Sequence, residues 1–164
     1  GGMTGVFQGG TAALAAAGNV TVETTDFEDW TRVLLTVDPI VLNRPAKWWM
    51  HSQMLIRALS VKDANGRPIF LTALEAPAPR SVGSILGYPV VPCFAAPTTN
   101  AANAKITAFG DPAGLVVGMR SGYTFEASDH HRWNTLERSF RGWGRAGTKI
   151  RRALAFGVLT LPAA

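Results

Sequence analysis

The sequence has little of what most catalytic or secreted proteins display. It holds one cysteine, Cys93, in 164 residues, so no internal disulfide can form and nothing marks an oxidising compartment. It has three histidines, no Gly-x-Ser-x-Gly elbow, no phosphate-binding loop and no His-Glu-x-x-His pair, which removes the common hydrolase and nucleotide signatures. No apolar run approaches the about 18 to 20 residues of a membrane-spanning helix, and no basic-then-apolar leader precedes a cleavage site. A soluble, non-secreted chain is expected. Charged residues are only 16%, below the usual quarter or so. So sparse a charged surface suggests that part of the outside is normally covered.

What is present is apolar and turn-rich: 47% hydrophobic residues with 17 glycines and 10 prolines. The length suits one core with an appended lobe, and the glycine and proline content favours a β-containing fold over a helical bundle. The net charge of +5 is concentrated. Residues 1–127 hold nine basic and nine acidic residues. Residues 128–152 carry Arg132, Arg138, Arg141, Arg145, Lys149, Arg151 and Arg152 against Asp129 and Glu137, so 7 − 2 = +5. Such a stripe could meet nucleic-acid phosphates or an acidic neighbour.

Patterning predicts the elements. Residues 1–23 read as a connecting loop with a short strand at either end. Thr25, with Glu28 three residues on, predicts a capped helix with Phe27, Trp30, Val33, Leu34 and Val37 on one face, ended by Pro39. Lys47 to Met50 reads as a buried strand, Ser52 as the cap of a short helix through Met54, Leu55, Ala58 and Leu59, and Pro68 to Leu71 as a strand. Glu75 to Ser84 reads as an extended loop. Leu86 to Val91, Lys105 to Phe109 and Leu115 to Met119 are three β-type runs expected to form a central sheet. Tyr123 to Glu126 is a short strand. A break at Asp129-His130-His131 precedes one long strand, Trp133 to Trp143, with Leu136, Arg138 and Phe140 on one side and Thr135, Glu137, Ser139 and Arg141 on the other. A glycine-broken turn leads to Ala153 to Leu161, expected to pair antiparallel with that strand.

The motifs reduce to simple readings. Gly142-x-Gly144-x-x-Gly147 matches a dinucleotide fingerprint by letter, but no acidic residue and too little chain follow it, so a glycine turn is expected. His130 and His131 are adjacent and would point apart in an extended chain, so no metal site is expected. Cys93 could act as a nucleophile only if His51 or His130 approached it, and no spacing supports this. A small hydrolase built on Cys93 is therefore the weakest functional reading. A nucleic-acid-binding module using the stripe Arg132 to Arg152, with Trp133, Phe140 and Trp143 interleaved, is stronger.

Taken in order, several segments resemble the C-terminal half of a tailed-bacteriophage major capsid protein of the Hong Kong 97 type. The carrying segments are the Thr25 helix, Ala46-Lys47-Trp48-Trp49-Met50, the helix ending in Lys62-Asp63-Ala64-Asn65-Gly66-Arg67-Pro68, Leu86-Gly87-Tyr88-Pro89-Val90-Val91, Ile106 to Asp111, and the arginine-rich strand followed by Ala153-Leu154-Ala155-Phe156. The resemblance implies an α+β fold. Residues 24–127 would form an axial-type domain, a mixed sheet flanked by helices, and 128–164 the long antiparallel strands of a partial peripheral-type domain.

It further implies a structural, non-enzymatic shell subunit with no catalytic residue, metal or cofactor. The complete protein would form capsomers as a homo-oligomer and assemble an icosahedral shell around phage DNA, placed in the virion and, during assembly, in the host cytoplasm. The seven basic residues are the candidate subunit or DNA contacts, and the loop Pro92 to Ala104 is a candidate capsomer contact. No membrane or small-molecule substrate is implied. An encapsulin-like compartment shell is the alternative within the same fold. The family's N-terminal arm, extended loop and spine helix have no counterpart here, so the chain is expected to be a fragment or to be completed by another chain.

Overall fold

The computed structural model describes residues 3, 5–62, 71–72 and 83–163. Nine strands and four helices are named here in chain order. They are α1 (Val6–Gly9), β1 (Thr11–Leu14), α2 (Phe27–Leu35), α3 (Pro39–Leu42), β2 (Lys47–Met50), α4 (Ser52–Ala58), β3 (Leu71–Thr72), β4 (Gly83–Ile85), β5 (Tyr88–Pro92), β6 (Lys105–Gly110), β7 (Leu115–Arg132), β8 (Glu137–Ile150) and β9 (Phe156–Thr160). Seven strands make one mixed sheet in the order β1-β9-β6-β2-β5-β4-β3, while β7 and β8 pair only with each other. The fold is α+β, as expected. No helix among the described residues is long and apolar enough to cross a membrane.

The sheet is held by aromatic residues with satisfied polar atoms. Trp48 of β2 is fully buried, meets Trp30 of α2 edge-on at 5.7 Å and Phe109 of β6 at 4.7 Å, and donates its indole N–H to the Ile85 carbonyl at 3.1 Å. Tyr88 closes the cluster on Phe109 at 4.9 Å. Alternation places Trp48 and Met50 on the helix-covered face and Trp49 on the other. There Trp49 stays half-buried beside Phe156, 5.9 Å away. Gly157 lets α2 lie close: a Cβ there would stand 2.9 Å from the Val33 carbonyl oxygen and 2.7 Å from Thr36 Oγ1.

Several sequence expectations need correction. The cap of α2 is Asp26, whose backbone N–H donates to the Asp29 carboxylate at 3.1 Å, the return half of a capping box. Thr25 instead accepts the Trp30 indole N–H at 3.1 Å and donates to the Val22 carbonyl at 2.7 Å. Pro39 does not merely end a helix but opens α3 at its first turn, capped by Asp38. His51, not Ser52, caps α4, its Nδ1 accepting from the Gln53 N–H at 3.2 Å. Within 1–23, Val6–Gly9 is a helical turn and Thr11–Leu14 a sheet strand parallel to β9. Strand β5 starts at Tyr88, because Leu86 (φ 52) and Gly87 (φ 82) form the two-residue turn from β4.

The three runs do not form one sheet. β5 and β6 belong to it with β2 between them, but Leu115 to Met119 leaves it. A 3-10 turn at Pro112–Gly114, capped by Asp111 accepting from the Ala113 N–H at 3.0 Å, redirects the chain into β7. β7 runs through Asp129-His130-His131 without a break and turns only at Trp133–Thr135 and Leu136 (φ 54). Gly142 to Gly147 lies inside β8, not in a turn. β9 pairs with β1 and β6, not with the arginine-rich strand. The expected strand over Pro68 to Phe70 and most of the Glu75 to Ser84 loop lie outside the described residues.

Candidate functional site

The feature without a structural role of its own is the β7–β8 ribbon. Strands of 18 and 14 residues extend from the sheet, and nearly every described side chain along them is exposed. Phe125 is 82% exposed, Phe140 78% and Leu136 96%. A two-stranded ribbon of this kind is marginal in water by itself, and contiguous exposed apolar surface marks a contact site.

Register and period-2 alternation sort its residues into two faces. All the ladder irregularities put extra residues on β7, so β8 keeps strict alternation. On one face stand Val117, Met119, Tyr123 and Phe125 of β7 with Phe140, Ala146 and Ile150 of β8. The Phe125 ring lies where a Cβ on Gly142 would meet it at 3.1 Å, and Tyr123 lies likewise over Gly144 at 3.0 Å. Gly142 and Gly144, two of the three glycines of the apparent dinucleotide fingerprint, are flat seats for aromatic rings. On the other face stand Arg141, Trp143, Arg145 and Lys149 of β8, with Glu126 opposite Arg141; the Trp143 indole N–H points to the Glu126 carboxylate at 3.5 Å.

The seven predicted contact residues are thus spread along the ribbon rather than gathered. Arg138 is spent locally, with Nε 2.9 Å from Asp129 Oδ1 and its guanidinium 5.8 Å from the Phe140 ring centre. Arg132 sits opposite Glu137 in the ladder. Arg141, Arg145 and Lys149 share the basic face. Arg151 and Arg152 lie in the turn at the base, where the Arg151 N–H donates to the Gly114 carbonyl at 2.8 Å. There they line a small cavity of about 110 Å³ with Arg44 and Asp111, which pair at 3.3 Å. Sequence reading missed Arg44 and Asp111, since they are 67 positions apart.

The other candidates have structural places. His51 caps α4, and the His131 ring contacts the Ser139 hydroxyl at 3.3 Å. Among the described residues no three His, Cys, Asp or Glu side chains converge as a metal site would require. Cys93 lines an open apolar cleft of about 610 Å³ with Phe7, Trp49, Leu115 and Phe156. The loop Pro92 to Ala104 is pinned by Asn100, which accepts from the Val22 N–H at 2.8 Å and donates to Glu23 at 2.9 Å. That amide, together with Arg57 at 2.6 Å, outweighs desolvation and lowers the Glu23 carboxyl from 4.5 to about 2.

The model of the phage capsid family matches residues 1–161. The chain belongs to this family. Among solved structures, this family member is similar to the capsid of a native GTA particle (TM-score 0.74, 20% identity over 98% of this chain and 56% of the other) and to that of the empty particle (0.72, 21%, 98% and 57%), both computed with C5 symmetry. A chain of Gordonia phage Cozz has a TM-score of 0.62 at 14% identity, over all of this chain and 53% of the other. These likenesses show the shared fold. The chain spans little more than half the length of the solved chains it matches. No curated protein matches the sequence.

Proposed function

We propose that this chain is part of a major capsid subunit, a non-enzymatic structural protein whose complete form builds capsomers and an icosahedral shell around phage DNA in the virion, after assembly in the host cytoplasm. The observation that carries the proposal is the ribbon: a long β-hairpin with an aromatic face that none of the described residues covers, on a sheet body with a packed core of its own. In this reading the sheet body is the axial-type part and the ribbon the peripheral-type part, with contact residues Arg132, Arg138, Arg141, Arg145, Lys149, Arg151 and Arg152. Family membership favours a phage shell over an encapsulin-like compartment. Electron microscopy of the full-length protein tests the proposal: rings or closed shells are expected, and a strictly monomeric product at high concentration would sink it.

A further inference from the structure

The two faces of the ribbon differ in chemistry, and the charge of the chain is divided in the same way. Residues 115–152 hold eight basic and three acidic residues, 8 − 3 = +5, while the rest of the chain holds eight of each, 8 − 8 = 0. The body is neutral and the ribbon with its base carries the whole net charge. Within the ribbon, the basic face presents Arg141, Arg145 and Lys149 at every fourth residue of an unbroken strand. At about 3.4 Å of rise per residue these cations stand about 13 to 14 Å apart in one line. Glu126 opposes Arg141, but among the described residues Arg145 and Lys149 have no ion-pair partner. Arg138, which does have one, sits on the aromatic face.

We propose that this basic face is a docking surface for the phosphate backbone of duplex DNA, read without sequence preference, while the aromatic face is the one covered by protein. A row of regularly spaced cations along one strand, two of them without an ion-pair partner among the described residues, fits an extended polyanion better than a single acidic side chain, since each cation can release a counterion along the duplex. A second copy of this chain is the poorer occupant, because its body has no net negative charge to attract the row. The row has Trp143 as its one aromatic, already turned toward Glu126, so charge rather than base stacking supplies the affinity. That the duplex is packaged DNA rests on the shell reading; the binding itself does not.

The test is fluorescence anisotropy of a labelled random-sequence DNA duplex, titrated with the chain over a range of sodium chloride concentrations. Wild type should bind with affinity falling steeply with salt. The triple variant Arg141→Gln, Arg145→Gln, Lys149→Gln should lower the magnitude of the log–log salt slope by about 2 to 3, at about 0.9 for each phosphate no longer neutralised and less where Glu126 already offsets Arg141. Arg32→Gln, which removes a cation of the sheet body paired with Asp29, should leave the slope nearly unchanged. Unaltered near-ultraviolet circular dichroism guards against misfolding. A salt-independent wild type, or a triple variant with the wild-type slope, overturns the proposal. So does a triple variant that weakens subunit association in light scattering without changing DNA affinity, which would give the row to a neighbouring subunit. Shells of the full-length protein are scored separately by electron microscopy, so their presence without DNA binding overturns this inference alone.

Discussion

The sheet body and the β7–β8 ribbon use the same strand alternation and reach opposite ends. In β2, the pattern Lys47-Trp48-Trp49-Met50 buries Trp48 and Met50 completely, because α2 and α4 lie over that face. In β8, Arg138-Ser139-Phe140-Arg141 alternates as cleanly, yet Phe140 remains in solvent. The difference is not in the strands but in what covers them. Period-2 patterning reports that a face is meant to be buried. It does not say whether the cover comes from the same folded unit, and in the ribbon none of the described residues supplies it.

The sharpest way to break this comparison is to cut equivalent aromatics in the two regions. Trp48→Ala removes a fully buried ring touching Trp30 and Phe109 and orphans the Ile85 carbonyl. It should cost about 3 to 5 kcal/mol in urea unfolding. Gly157→Ala, on the same sheet, forces a Cβ against the Val33 carbonyl, and the backbone there cannot step aside. We expect a loss of about 1 to 3 kcal/mol and a lowered melting temperature. In the ribbon, the double variant Phe125→Asp, Phe140→Asp should move the unfolding free energy of this chain by no more than about 0.5 kcal/mol, as exposed substitutions do. In the full-length protein the same pair should abolish ring or shell formation in electron micrographs. A large destabilisation of the isolated chain would mean that the ribbon's aromatic face is already covered.

This contrast also explains what could be read in the sequence. The α+β class, β2, the helix that carries Trp30, and the side assignment of Arg138 and Phe140 against Glu137, Ser139 and Arg141 all follow from local periodicity, which the fold respects. The misplaced elements share one cause: partners far apart in the chain. Ala153 to Leu161 read as a mate for the arginine-rich strand because it came next, yet β9 is placed by Phe109 and Thr11, more than 45 positions upstream. Gly142 and Gly144 read as turn residues because glycine usually punctuates. Their use as seats for Phe125 and Tyr123 is visible only once β7 lies beside β8. The caps moved by one residue, to Asp26 and His51, for a related reason. Thr25 was recruited by the Trp30 indole, and an imidazole is a less familiar cap than a hydroxyl.

The smallest expected effect concerns the body's own surface and asks whether an exposed polar network there does what ribbon charges such as Arg138 and Asp129 do not, namely fix a long-range contact. Glu23 joins the 3-10 turn at Val22–Thr24 to α4 through Arg57 and to the Pro92 to Ala104 loop through Asn100. Its carboxyl titrates at about 2 when folded, against 4.5 as the ordinary value. Because the folded value is depressed, the unfolded chain takes up the proton first as pH falls. The stabilisation is therefore complete above 4.5, declines between 4.5 and about 2, and is gone below that. Glu23→Gln removes the charge at every pH, so the stability gap between wild type and variant should be open at neutral pH and close on acidification through that window. A gap of constant size would show that Glu23 supplies only a neutral hydrogen bond. Asn100→Ala should narrow the window, since the amide is the largest cause of the shift and the guanidinium of Arg57, half exposed, is left to act through solvent.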